Sequence, residues 1–364
     1  MTRLQYTSFL LWVFLGLVPL AYSSDTVEPS SWLPQSPTLV LPDGKEIYLL
    51  NAKQGAEAIF DDRGEPFFSM LTTLDLSVRM GAALNPKEFE KNKDRFAQFL
   101  KSNVCDWTSA EEKAFLEVLK EAHDAAVSIT PDLIPQKWVF IKTTGSEEGG
   151  AFYTRGSSVV VPQESLTHLL ETSQSDALVR EMIHESFHLY SRTHPEQRAR
   201  LYQCIGFSKL GSLVLGSQLA RRRLTNPDAP DFSYSITLKN AKGEPFRAIL
   251  VTFSKVPEFT PGQDGLFSYV TFGLFEVRLN GESWKVATDQ HGDPHSLDPD
   301  TARGFYEQIG RNTPYILHPE EILADNTAIL AISRGNLSSL KDIANPELLA
   351  KVEAILKEST QIKE

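Results

Sequence analysis

Residues 184–194 read HESFHLYSRTH. His184 and His188 stand four apart around Glu185, and His194 follows six residues later. At about 100° per residue, positions four apart lie about 40° apart around a helix axis, so both imidazoles leave one face. Two such rings can bind one Zn²⁺ at about 2.0–2.1 Å. Glu185 would face the side of the ion left open to water, placed to act as a general base. The wider stretch 173–194 predicts a long helix. Its apolar stripe of Leu178, Met182, Phe187 and Tyr190 leaves the two histidines free for another task.

The third ligand decides what kind of site this is. His194 has the spacing of H-E-x-x-H-x-x-G-x-x-H, in which a glycine lets the chain turn sharply after the helix. Ser191 occupies the glycine position, and the four methionines, at 1, 70, 80 and 182, all precede the spot where a supporting Met-turn would fall. His194, before Pro195 at a predicted helix start, is therefore expected to be a junction residue. The alternative lies at 318–326, HPEEILADN. Glu321 and Asp325 sit one turn apart on a helix predicted to begin at Pro319, whereas Glu320 has Ala324 in the equivalent place. Acidic residues in a first helical turn also favour the macrodipole with no metal involved.

An H-E-x-x-H helix followed by E-x-x-x-D on a later helix resembles the gluzincins, the thermolysin-like class of zinc metallopeptidases. The resemblance covers roughly residues 136–220 and 301–335. It implies zinc held by His184, His188 and Glu321, with Asp325 orienting His184 and Glu185 as general base in peptide-bond hydrolysis. An oxyanion donor is expected from Tyr315 or His318, just before the Glu321 helix, with Tyr190 and Tyr153 as weaker candidates. GGAFYTRG at 149–156 is similar to the edge strand on which thermolysin-type enzymes bind a substrate backbone; an ordinary hairpin would read the same way. The chain departs from the class in the 133-residue step from His188 to Glu321 and in lacking a G-x-M-E-N stretch, so no subfamily is assigned.

The whole chain sets bounds on this reading. Its 364 residues, 41% hydrophobic, can bury one large or two modest cores. A net charge of −11 disfavours nucleic acid and anionic lipid as partners; the densest basic cluster, Arg221–Arg223, suits a helix C-terminus. At the N-terminus, MTRLQYTS precedes FLLWVFLGLVPLAY, and Ala21-Tyr22-Ser23 places small residues at −3 and −1. This predicts a secretory signal cut near Ser23, hence a secreted or periplasmic protein with no stable membrane span; an uncut anchor is disfavoured because the run is short and holds Pro19. Cys105 and Cys204 are expected either to pair or to stay as buried thiols.

The predicted architecture is α+β, with a zincin-like catalytic core of a small sheet, the HExxH helix and the ExxxD helix. After the signal peptide (1–23) comes a linker (24–37), then a mainly helical N-terminal region (38–135) that opens on a hairpin around Pro42-Asp43-Gly44. Its helix from 109 is expected to start with a capping box of Ser109 and Glu112. The catalytic region (136–223) holds strands, the HExxH helix and a continued helical pattern from Pro195. A β-rich insertion (224–300) follows, and a helical C-terminal region (301–364) carries the third ligand. The competing expectation is an exported binding protein with a structural or vestigial zinc site, its β-rich module presenting Phe267, Tyr269, Phe272 and Trp284 to a ligand.

Overall fold

The computed structural model describes residues 31–172, 174–263, 265–335 and 343–361. The expected signal peptide and the first part of the linker lie outside the described residues. Trp32 is already buried, packed with Tyr48, Phe67 and Phe96, so the end of the linker is anchored to the fold.

Strands β1 (Leu39–Val40) and β2 (Glu46–Leu50) form the hairpin read from Pro42-Asp43-Gly44. A run of helices follows: α1 (Ala52–Ala58), α2 (Thr73–Met80), α3 (Phe89–Asn103) and α4 (Ser109–Val127). Then come β3 (Lys137–Thr143), β4 (Tyr153–Arg155) and β5 (Ser158–Pro162). The first sheet has the order β1-β2-β3-β5-β4, with parallel pairs at its centre and an antiparallel strand at each edge. Alternation along its strands sends Ile47, Trp138, Phe140, Val159 and Val161 to one face, and Tyr48, Leu50, Val139, Ile141 and Val160 to the other. Helices α1 and α3 cover the second face through Ala58, Phe96 and Leu100. The first face is covered by α4, through Phe115, Leu119 and Ala122, and by α6 (Ser175–Thr193), which follows α5 (Gln163–Glu171). Burial on both faces explains why Trp138–Ile141 is an unbroken apolar run and why only the first residue of β3 is exposed.

The boundary expected at 135/136 thus runs through a single sheet, because β2 of the N-terminal region pairs in parallel with β3. The capping box of α4 falls one residue earlier than expected. Thr108, extended at φ −81° and ψ 155°, is the cap and Glu111 its partner, while Ser109 is already helical.

The second sheet begins before residue 224. Helix α7 (Pro195–Cys204) starts with proline in its first turn, as expected, but the helical pattern does not continue to 223. Gly206, at φ +83° and against the Gln308 side chain, ends it. β6 (Phe207–Lys209) and β7 (Ser212–Val214) follow, then α8 (Ser217–Arg222), β8 (Tyr234–Lys239), β9 (Pro245–Ser254), α9 (Leu266–Tyr269), β10 (Val270–Asn280), β11 (Ser283–Val286) and β12 (Ser296–Leu297). The order β6-β8-β9-β10-β11-β7, with β12 on β10, gives a second, largely antiparallel sheet. Ile236, Leu238, Ala248, Leu250 and Leu274 pack into the same core as α6 and α7, so the two sheets share one interior. Tyr269 packs with Leu74, Val78 and Leu224 rather than facing solvent. The short α10 (Tyr306–Ile309), then α11 (Pro319–Gly335) and α12 (Pro346–Gln361), complete the mixed α+β fold. Cys105 and Cys204 are free thiols, both pushed up in pKa by burial.

Candidate metal centre

Helix α6 runs through the middle of the molecule, and every residue from Met182 to Ser191 is buried. Its apolar residues pack against α4 and the sheet, while His184, His188 and Ser191, spaced four and three apart, look toward the first turn of α11. That turn is built by His318 and Pro319. The His318 carbonyl accepts from the Ile322 N–H at 3.1 Å, and its Nδ1 accepts from the Glu320 N–H at 3.1 Å. Its Nε2 donates to the Asp231 carbonyl at 3.1 Å. Burial pushes His318 below the ordinary histidine range, so it stays neutral as this cap requires. With both nitrogens engaged, His318 holds the helix end and is not the oxyanion donor expected from its position; Glu320 and Glu321 are thereby delivered to α6 side by side.

His184 and His188 lie with ring centroids 4.9 Å apart. Each ring has its Nδ1 held by a different carboxylate: His184 by Asp325 Oδ1 at 3.2 Å, and His188 by Glu320 Oε1 at 3.2 Å. A carboxylate only accepts, so both Nδ1 atoms carry the proton and both Nε2 atoms are turned toward Glu321. Glu321 Oε2 is 3.1 Å from His184 Nε2 and 3.6 Å from His188 Nε2. Its other oxygen accepts from Asn226 Nδ2 at 2.6 Å. The ligands of a tetrahedral ion with bonds of about 2.0–2.1 Å stand about 3.3 Å apart, which these two separations bracket. His188 Nε2 is moreover fully buried with no hydrogen-bond partner, a costly state unless something else is bound there. The donor set His184, His188 and Glu321 therefore fits a small divalent cation.

Electrostatics point the same way. Burial lowers the basicity of both imidazoles, but hydrogen bonds to Asp325 and Glu321 outweigh it for His184 and raise its pKa to about 10. For His188 burial is likewise outweighed, by the charges of Glu321 and Asp228 and the bond to Glu320, and its pKa lies well above the usual range. Glu321 goes the opposite way: against the penalty of burial, the two imidazoles hold it well below the carboxylate range. In the metal-free protein the centre stores protons on its histidines that a cation would displace.

Glu185 is buried beside this cluster, and its Oε2 has no hydrogen-bond partner. Burial and then the charge of Asp228 push its pKa well above the ordinary carboxylate value. Glu185, His188 and Asp228 themselves form a second group of possible ligand atoms within 4.8 Å of one another. Tyr315 packs its ring 6.0 Å from that of His184 and lines the cleft in front of the centre with Phe152, Asn226 and Asp228. Although the residue is 43% exposed, burial around its phenol and the carboxylates of Glu321, Asp228 and Glu185 raise its pKa well above 10, so it remains a neutral donor.

The structure thus brings together His184, His188, Glu185, Glu321, Asp325 and Tyr315. His194 stands apart: it ends α6, stacks on Tyr190 at 4.3 Å and bonds the Tyr190 carbonyl through Nδ1 at 2.9 Å. Tyr190 is thereby part of that stack, and Tyr153 is turned to Glu147 at 3.3 Å. Three contributors escaped the sequence pattern. Glu320 fails the E-x-x-x-D spacing yet orients His188 while also accepting from Ser191 at 2.9 Å and Tyr202 at 2.6 Å. Asn226 and Asp228 come from a connection with no periodicity to read. Ser191 itself, the residue in the glycine position, is explained by its bond to Glu320.

No family model, curated protein or solved structure matches this chain.

Proposed function

We propose that the chain is an exported zinc-dependent metallopeptidase of gluzincin type, with a zincin-like core formed by the first sheet, α6 and α11. The observation that carries this reading is the convergence of His184 Nε2, His188 Nε2 and Glu321 Oε2 beside Glu185, whose buried Oε2 has no hydrogen-bond partner. A purely structural site has no use for that carboxylate, which disfavours the binding-protein alternative. Export rests on the leader at 1–23. Among the described residues no helix is long and apolar enough to cross a membrane.

Zinc, held by His184, His188 and Glu321, would polarise the scissile carbonyl and make water more acidic. Asp325 and Glu320 keep the two imidazoles in the tautomer that turns Nε2 inward, and Asn226 fixes the free oxygen of Glu321. Glu185 takes the proton from the attacking water and returns it to the leaving amine; a neighbouring dication favours the ionised form this requires. Tyr315, neutral across the physiological range, donates to the developing oxyanion. Strand β4, which ends the first sheet, would pair with an extended peptide or protein substrate.

The test is Glu185→Gln, with zinc content and hydrolysis of an unfolded protein such as casein measured in parallel. Zinc should remain and turnover should vanish. Turnover retained in that variant, or wild-type protein that carries no zinc, would refute the proposal.

A further inference from the structure

The connection between α8 and β8, residues 224–231 (LTNPDAPD), carries Pro227 and Pro230, and its residues 224–228 form one wall of the cleft beside the centre. Their course is fixed at three points. Thr225 is gripped by the N-terminal region: its N–H donates to Asp75 Oδ1 at 2.7 Å, and its carbonyl accepts from Arg79 Nη2 at 2.6 Å. Arg79 is fully buried and locked to Asp75 and Glu148 at 2.8 and 2.7 Å, so this grip is rigid. Asn226 reaches Glu321, as described. Asp228 Oδ1 accepts two bonds of 2.6 Å, from the Thr154 N–H and the Thr154 hydroxyl. The Asp228 carbonyl accepts from Arg192 at 3.4 Å.

Thr154 is the central residue of β4. On one side that strand pairs with β5, through Thr154 opposite Val159; on the other it ends the sheet. An extended chain adding to this edge needs the outward N–H groups, and the one at Thr154 is already satisfied by a carboxylate that imitates a peptide carbonyl. The same carboxylate lies within 4.8 Å of the ligand atoms of Glu185 and His188, where a scissile bond would have to sit. A substrate cannot occupy both places while Asp228 holds them.

We propose that the Asn226–Asp228 segment is a built-in plug, and that the conformation described is a latent one in which Asp228 takes the place of an extended substrate on β4. The proposal rests on the metallopeptidase reading of the same centre. Opening requires Asp228 to leave Thr154, and because α2 grips Thr225, an event in the N-terminal region can trigger it.

The test uses the full-length mature chain loaded with zinc and two metal-directed probes: acetohydroxamate, which needs no strand edge, and a Leu-Leu dipeptidyl hydroxamate, which does. In Asp228→Ala the extended probe should bind about tenfold tighter or better, the gain expected when an open state populated at about a tenth becomes dominant. Acetohydroxamate serves as the reference: the gain is read as the change in the ratio of the two probe affinities, so a general change in the centre on losing Asp228 cancels. Unaltered protein provides an independent measurement should that variant fold poorly: its association rate with the extended probe should level off at high probe concentration, limited by opening. A rate that keeps rising linearly, or a ratio of the two probe affinities equal in wild type and Asp228→Ala, would overturn the plug. Absence of zinc from both proteins would instead overturn the metallopeptidase reading beneath it.

Discussion

Replacing Glu320 by glutamine separates the orientation of a ligand from the ligand itself. In the wild type one oxygen of Glu320 faces His188 Nδ1, and the other accepts from Ser191 and Tyr202. Glutamine keeps one acceptor and turns the other into a donor. If the amide nitrogen faced Ser191 and Tyr202, two hydrogen bonds would be lost, each worth about 0.5–1.5 kcal/mol. If it faces His188, only one is disturbed, and that orientation wins. His188 must then present a lone pair at Nδ1 and move its proton to Nε2, the atom that looks toward Glu321. A protonated nitrogen cannot ligate, so loading requires the unfavourable tautomer to be restored. Loss of such a supporting contact typically costs about 10–100-fold in metal affinity, equivalent to about 1.4–2.8 kcal/mol. The assay is zinc competition against a chromogenic chelator, alongside urea denaturation of the chelator-treated protein to show that the fold survives. Zinc affinity in Glu320→Gln equal to wild type, in folded protein, would refute the tautomer argument.

Other outcomes follow from the same geometry. Glu321→Ala should lower zinc occupancy sharply, whereas His194→Ala should leave it unchanged and cost no more than about 1 kcal/mol of stability for the lost stack on Tyr190; zinc titration of both variants decides. Metal-free protein should lose stability as pH rises. His184, raised to about 10 when folded against about 6.5 unfolded, contributes fully below pH 6.5 and progressively less toward pH 10. Urea midpoints should therefore fall across that window in chelator-treated protein, and bound zinc, which displaces the proton, should remove the fall. Gly55→Ala should destabilise by about 1–3 kcal/mol through overpacking, because its new methyl would lie 2.8 Å from Val104 Cγ1 and 3.0 Å from Ile141 Cγ2. A raised urea midpoint would contradict the close packing of α1 on β3.

Local geometry puts the chemistry of residues 184–188 and of residues 321–325 each on one helical face, and the resemblance to the gluzincins paired the two stretches. The rejection of His194 likewise needed only Ser191 and the positions of the methionines. What escaped was the long-range part. Glu320 looks ordinary until α11 lies against α6, since its partners His188, Ser191 and Tyr202 come from two other helices. Asp228 and Asn226 gain meaning only from where their connection crosses β4 and Glu321. The strands at 207–214 fall inside the helical pattern expected from Pro195 because the apolar residues of a short, glycine-bounded stretch satisfy both periods. His318 sat at the right place in sequence for an oxyanion donor, but capping α11 had the stronger claim on its ring.

The parallel pairing of β2 with β3 has a consequence for how the chain is made. Right-handed crossovers normally return a strand to its neighbour after a single helix; here α1 to α4 all intervene. β2 therefore emerges from the ribosome long before Lys137–Thr143 exists to receive it, and the helices between them must mature inside a loop that has yet to close. The closing step pairs residues far apart in sequence, which slows folding. It also completes the interior on both faces of the sheet, so the helices on either side pack against a finished layer only after β3 has been made.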